Sequence, residues 1–178
     1  MALIPARPSH PCPSGLGLGS QKLNYLTNLR DMTRKISLIV IHCSASRCNQ
    51  RFTVDMLRAC HNARFHGKGV GYHYYIERDG QLYQTRDEEE MGMHARHYNA
   101  HSIGICYEGG LDEKGRACDT RTPAQRAALI AILRSLKADY PNAEIMGHCE
   151  LEGVHKDCPC FSCQEYRDYF DKLQNSVN

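Results

Sequence analysis

The chain has no apolar stretch approaching the roughly 20 residues of a membrane-spanning helix, which excludes an integral helical membrane protein. It also has no long run of one charge. With 22 basic residues against 20 acidic ones and a net charge of +2, neither a nucleic acid nor a membrane surface is the expected partner. A secretory signal is missing as well, because Pro5, Pro8, Pro11 and Pro13 interrupt Met1 to Gly19, where an apolar core of about 7–15 residues would be needed. The expected location at synthesis is therefore the cytoplasm. No internal repeat occurs, and nothing marks a second folded domain.

What is present fits one enzyme-sized domain. A chain of 178 residues with 42% hydrophobic content can bury a sizeable core, and its length argues for a single domain. Residues 1–31 begin rich in Pro, Gly and Ser and read as a poorly ordered N-terminal extension; residues 32–178 read as the domain proper. Ten cysteines in a chain without a signal read as reduced thiols rather than a disulfide framework. Cys43 and Cys106 lie within apolar runs, where a free thiol behaves as a small hydrophobe.

The hydrophobic pattern alternates between strand and helix. Lys35 to Cys43 reads as a buried strand, and Thr53 opens a helix to about Phe65. Tyr72 to Arg78 and Gln81 to Gln84 flank Asp79-Gly80, a hairpin signal, and Ser102 to Tyr107 is another strand. Thr122, Pro123 and Gln125 supply a cap, a first-turn proline and a capping-box partner for a helix whose Leu129, Ile132, Leu133 and Leu136 form one stripe. Ala143 to Met146 gives a last strand, and Gln164 to Leu173 a last helix. This order implies an α/β fold with a mixed sheet and helices on its faces.

Two separated segments carry the chemistry. Ile39-Val40-Ile41-His42 sets an imidazole at the end of a strand, where open α/β sheets keep their sites. Gly147-His148 closes a second strand, and Cys158 follows on a loop. Two imidazoles and one thiolate leave a tetrahedral zinc one ligand short, the arrangement that admits water as a nucleophile. A structural zinc knot built from Cys149, Cys158, Cys160 and Cys163 is the competing reading. Their intervals do not form the paired CxxC spacing that such knots use.

Further motifs lie in a fixed order between these segments: Val70-Gly71-Tyr72-His73, Gly92-Met93-His94-Ala95 with Asn99, Ser102-Ile103-Gly104-Ile105, and Thr122-Pro123-Ala124-Gln125. Together they resemble the zinc-dependent N-acetylmuramoyl-L-alanine amidases of the phage-lysozyme type, kin to the peptidoglycan recognition proteins, over about seven tenths of the chain. The resemblance implies a central mixed sheet with helices on both faces and a groove over the strand ends. It implies Zn²⁺ held by His42, His148 and Cys158, with Tyr72 assisting proton transfer and Lys156 stabilising the oxyanion. His94 and Asn99 become expected substrate contacts, and His155 stays outside the ligand set. Glu108 is a weaker acid candidate, since relatives that use this strand carry the carboxylate where Cys106 stands here. Cys149 would be a spare thiol near the metal.

The implied substrate is peptidoglycan or a muropeptide, cleaved between N-acetylmuramic acid and L-alanine by a monomer of the phage or prophage lysin kind. A cytoplasmic muropeptide-recycling amidase and a non-catalytic peptidoglycan-binding module are the alternatives. The module reading is weakened by Cys158, a ligand that such modules typically lack. Regulation of a polymerase, known in one branch of the phage amidases, is an analogy that no residue here identifies.

Deleting residues 1–31 should leave the thermal midpoint and hydrolysis nearly unchanged, because every motif lies after them. A midpoint lowered by several degrees would instead mean that Leu23, Tyr25, Leu26 and Leu29 pack on the domain.

Overall fold

The computed structural model describes residues 34–176; the expected extension, residues 1–31, lies outside them. In chain order the elements are β1 (Leu38–Cys43), β2 (Ser46–Arg47), α1 (Val54–Arg64), β3 (Tyr74–Ile76), β4 (Leu82–Gln84), β5 (Ser102–Tyr107), β6 (Gly110–Leu111), α2 (Pro123–Asp139), β7 (Glu144–Gly147) and α3 (Gln164–Asn175). Short 3₁₀ turns occupy Asn99–His101 and His148–Glu150. Five strands form one sheet in the order β4-β3-β5-β1-β7. Within it β1 pairs in parallel with β5 and β7, β3 pairs in parallel with β5, and only the β3–β4 hairpin is antiparallel. The sheet is mixed, as the sequence pattern implies.

Strand alternation divides the core into two layers. Ile39, Ile41 and Cys43 of β1, Ile103, Ile105 and Tyr107 of β5, and Tyr74 and Ile76 of β3 point to one face. There they meet Leu129, Ile132, Leu133 and Leu136 of α2 and Tyr166 of α3. Tyr75 and Cys106 point to the opposite face and pack against Val54 and Leu57 of α1. Over β1 this second face is covered by the loop residues Ala95 and Leu151, which meet Val40, so β1 is enclosed on both faces and reads as a continuous apolar run rather than an alternating one.

The start of α2 follows the sequence closely. Thr122 Oγ1 accepts from the Gln125 backbone N–H at 3.1 Å, and Gln125 Oε1 accepts from the Thr122 N–H at 3.0 Å. This reciprocal pair satisfies two of the helix's orphan donors. Gln125 also donates through Nε2 to the Glu108 carbonyl at 2.9 Å, which ties the helix start to the end of β5.

The expected first hairpin strand is shorter than Tyr72 to Arg78. Tyr72 and His73 occupy a bend, and β3 begins at Tyr74. The cause lies at Gly71, whose carbonyl accepts from Met93 N–H at 2.9 Å. A Cβ on Gly71 would stand 2.5 Å from the Met93 carbonyl oxygen. At Gly71 the chain is held against the 91–94 loop, while His73 N–H still donates to the Gly104 carbonyl of β5 at 2.9 Å, and the Tyr72 ring lies beside His42 at the end of β1.

Leu133 is fully buried between α2 and the sheet. Leu133→Ala should lower the unfolding free energy by about 2–5 kcal/mol in chemical denaturation. A loss under about 1 kcal/mol would contradict its place in the core.

Candidate active site

His42 is the penultimate residue of β1, on the α1 side of the sheet, and His148 begins the turn directly after β7. Because β1 and β7 are parallel neighbours, both imidazoles reach the same end of the sheet. Their ring centroids are 4.4 Å apart. Cys158 arrives on the loop that follows, where its sulfur accepts from the Cys43 backbone N–H at 3.3 Å. The donor atoms of His42, His148 and Cys158 lie within 4.8 Å of one another.

This donor set fits zinc. With Zn–N near 2.0–2.1 Å and Zn–S near 2.3 Å, tetrahedral ligand atoms sit about 3.5 Å apart; His42 Nδ1 and Cys158 Sγ are separated by 3.7 Å. Both imidazoles are held neutral, with lone pairs available. Burial, helped by neighbouring His94, His148 and the Lys156 cation, pushes His42 well below its ordinary range. Burial and Lys156 bring His148 down to about 4. No fourth side chain joins the cluster among the described residues, so one coordination position is left for water or substrate.

The loops that carry these donors are fastened from behind. Gly147 N–H donates to Glu150 Oε2 at 2.8 Å, and Arg167 of α3 clasps the same carboxylate at 2.8 and 3.2 Å. After Cys158, the Pro159 carbonyl accepts from Tyr107 Oη at 2.7 Å. Pro159 lies so close to β7 that a Cβ on Gly147 would come within 2.8 Å of its ring.

A cavity of about 250 Å³ opens over the donors, lined in part by Tyr72, His61, His94 and Lys156. It adjoins a groove of about 690 Å³ whose walls include Arg64, Arg96, His97, His155 and Lys156. Tyr72 stands with its ring 5.1 Å from that of His42, and burial raises its hydroxyl well above the ordinary tyrosine range. It remains a protonated donor. Lys156 is exposed and borders both spaces, and His155 lies on the groove wall outside the ligand cluster.

His94 and Asn99 also line the groove, but their polar atoms are largely engaged within the protein. Asn99 Oδ1 accepts from the backbone N–H groups of His94 and Ala95 at 2.9 and 2.8 Å, which leaves only its amide nitrogen uncommitted. His94 Nδ1 is 3.0 Å from His42 Nε2. Glu108 is fully buried and accepts from the N–H groups of Phe52 and Arg78 at 2.6 and 2.9 Å; its carboxylate organises backbone and borders neither space.

The other thiols do not form a knot with Cys158. Cys163 is buried in the core, Cys160 faces Cys43 at 3.7 Å between sulfurs, and the cysteines among the described residues are free. His61 has no motif support in the sequence, yet it lies at the site. Its Nδ1 accepts from Gly71 N–H at 3.0 Å, and its ring lies 5.2 Å from Tyr72. The signal was available: Val54, Leu57 and His61 recur at helical spacing and form the buried stripe of α1.

The chain is similar to known proteins over most of its length. The sequence profile of the N-acetylmuramoyl-L-alanine amidase family matches residues 32–161. The endolysin of Escherichia phage T7 is 39% identical over 128 residues, 72% of this chain and 83% of the relative. That of Enterobacteria phage K11 is 37% identical over 133 residues, 75% and 86% of the two chains. Among solved structures, the endolysin N-acetylmuramoyl-L-alanine amidase LysCS from Clostridium intestinale superposes with a TM-score of 0.64 at 29% identity, covering 79% of this chain and 86% of that one. With all three donor residues inside the matched segment, the chain belongs to the N-acetylmuramoyl-L-alanine amidase family.

Proposed function

We propose that this amidase cleaves the amide bond between the lactyl group of N-acetylmuramic acid and L-alanine in peptidoglycan, and that it does so with zinc held by His42, His148 and Cys158. The observation that carries the reading is the convergence of those three donors within 4.8 Å beneath a groove, with Tyr72 and Lys156 on the same cavity wall. The phage endolysin relatives support a lysin that acts on the wall. A purely binding module would have no use for a three-donor cluster with an open position.

Zinc held by His42, His148 and Cys158 would supply Lewis acidity and a water acidified enough to attack near neutral pH. The residues of the chain supply the rest. The groove holds the glycopeptide so that the scissile carbonyl enters the cavity over the donors. As the carbonyl carbon becomes tetrahedral, negative charge grows on its oxygen, and the Lys156 ammonium is placed to meet it. Exposed in the free protein, that cation gains strength once substrate excludes water. The C–N bond then breaks and the alanine nitrogen needs a proton. The Tyr72 hydroxyl, held protonated at the cavity wall, is placed to deliver one and to be replenished from the attacking water. The products are a lactyl carboxylate and a peptide with a free amine.

Three outcomes test this reading. Cys158→Ala and His42→Ala should each abolish stoichiometric zinc and turnover together, read by metal analysis and by release of free peptide amine. Full activity with zinc retained in Cys158→Ala would overturn the ligand assignment. Lys156→Ala should keep its zinc and most of its muropeptide affinity while losing about 10²-fold in kcat, the scale of one oxyanion donor. Tyr72→Phe should follow the same pattern, and a proportional loss of binding would refute both roles.

The third outcome concerns pH. Burial lowers His61, His73 and His148 to about 4, and His94 to about 3. In the unfolded chain these groups return to about 6.5. Between those values the unfolded state binds more protons, so the metal-free protein should gain stability as pH rises from about 4 to 6.5 and lose it on acidification. Thermal melts of chelator-treated protein across that range check the sign. A midpoint that falls over the same interval would contradict neutral imidazoles in the site.

A further inference from the structure

His94 reaches His42 from the side opposite the other donors. His42 turns Nδ1 toward Cys158 and Nε2 toward His94 Nδ1, at 3.0 Å. The second nitrogen of His94, Nε2, faces Ser102 Oγ at 3.4 Å, and that hydroxyl donates to the Tyr98 carbonyl at 2.8 Å. A carbonyl only accepts, so the last link fixes the direction of every proton behind it. Ser102 Oγ gives its hydrogen to Tyr98 and offers a lone pair to His94; His94 therefore carries its proton on Nε2 and presents an unprotonated Nδ1. His42 must then carry its proton on Nε2, which leaves Nδ1 as a lone pair aimed at the donor cluster. The reverse order fails, because Ser102 has no second hydrogen for His94.

The ring of His94 is also given a built seat. A Cβ on Gly104 would stand 2.6 Å from its Cγ and Cδ2, and a Cβ on Gly92 would stand 2.6 Å from Cδ2. Neither glycine has a left-handed backbone, so the close approach of the ring accounts for the missing side chains. Gly104 lies inside β5, where glycine otherwise weakens a strand. The backbone N–H of His94 is in turn held by Asn99 Oδ1.

We infer that His94 is a positioning residue for the metal site: the chain Tyr98 carbonyl, Ser102, His94 fixes the tautomer and orientation of His42 so that Nδ1 is free to bind zinc. This rests on the zinc reading above and gives His94 a task distinct from touching substrate. Hydrogen-bonded partners of ligating histidines typically alter metal affinity by about 10–100-fold when removed.

The test begins with metal-free wild-type protein, so that it does not depend on zinc. Long-range ¹H–¹⁵N spectra of the imidazoles should show His42 protonated at Nε2 and His94 protonated at Nε2; a His42 proton on Nδ1 overturns the inference. Zinc affinity by chelator competition then separates hydrogen bonding from packing. His94→Leu, of similar bulk but without an acceptor, should weaken zinc by about 10–100-fold, whereas His94→Asn, whose Oδ1 can accept from His42, should restore most of it. Ser102→Ala should leave zinc bound more weakly and mix the His42 tautomers in the metal-free spectra. Equal losses in His94→Leu and His94→Asn, or none in either, overturn the inference. If the wild type takes up no zinc, the zinc reading falls, and the inference falls with it even where the tautomers match. Correct stoichiometry with the wrong tautomer removes only the inference.

Discussion

Because β1 lies between β5 and β7 with both faces covered, each of its side chains has one place to go, and the site follows from that division. Ile39, Ile41 and Cys43 enter the layer under α2 and α3; Val40 and His42 enter the opposite layer. A slip of one residue would send His42 into the hydrophobic layer and an isoleucine toward the donors. Both layers are closed to solvent, so the slip would bury the His42 imidazole among apolar side chains without a hydrogen-bond partner, and that makes it costly. The same parallel pairing of β1 with β7 brings His148 alongside His42, so the sheet register places two of the three donors.

The third donor and the loops depend on polar fastenings rather than on the sheet. Arg121 lies with its guanidinium 3.2 Å from the centre of the Phe161 ring and bonds to Asp119 and to Tyr166 of α3, which holds the segment after Cys158. Arg167 performs the equivalent task for His148 through Glu150. Arg34 fills the other side, where its guanidinium donates to the carbonyls of Glu88, Glu90, Asn99 and Ser102 and gathers the loop that carries His94. Most of these are charged donors on backbone carbonyls or paired carboxylates, contacts stronger than neutral hydrogen bonds and more exacting in geometry. They give irregular segments the positional precision that a strand would otherwise provide.

Features governed by local periodicity or capping could be read from the residues, and features governed by distant contacts could not. The run ending at His42, the strand Ser102–Tyr107 and the capping box at Thr122 each reflect burial or hydrogen bonding within a short window, and they match closely. The two-residue strands β2 and β6 pair residues more than sixty positions apart and leave no periodic mark. Tyr72 was recognisable by motif, yet its place outside β3 depends on Gly71 meeting the Met93 backbone. The contacts of His94 are hidden for the same reason. As a polar residue beside a groove it invites reading as a substrate contact; only the three-dimensional approach of His42, Ser102 and two glycines shows where its nitrogens are engaged.

The electrostatic balance around the proposed zinc site explains how the Lys156 cation can stand near it. Lys156 disfavours protonation of both His42 and His148, which preserves their lone pairs, but the same charge opposes a divalent ion. Two features offset that opposition. In the proposed zinc site the Cys158 sulfur would offset that charge directly, and a backbone N–H from Cys43 supports that sulfur. Lys156 itself is exposed, so water screens its repulsion while the groove is empty. Under the proposed function, a glycopeptide filling the groove would remove that screening at the stage when negative charge starts to form on the carbonyl oxygen. On that reading the cation's cost is smallest in the resting protein and its benefit largest in the transition state, the asymmetry that accelerates a reaction rather than merely strengthening binding.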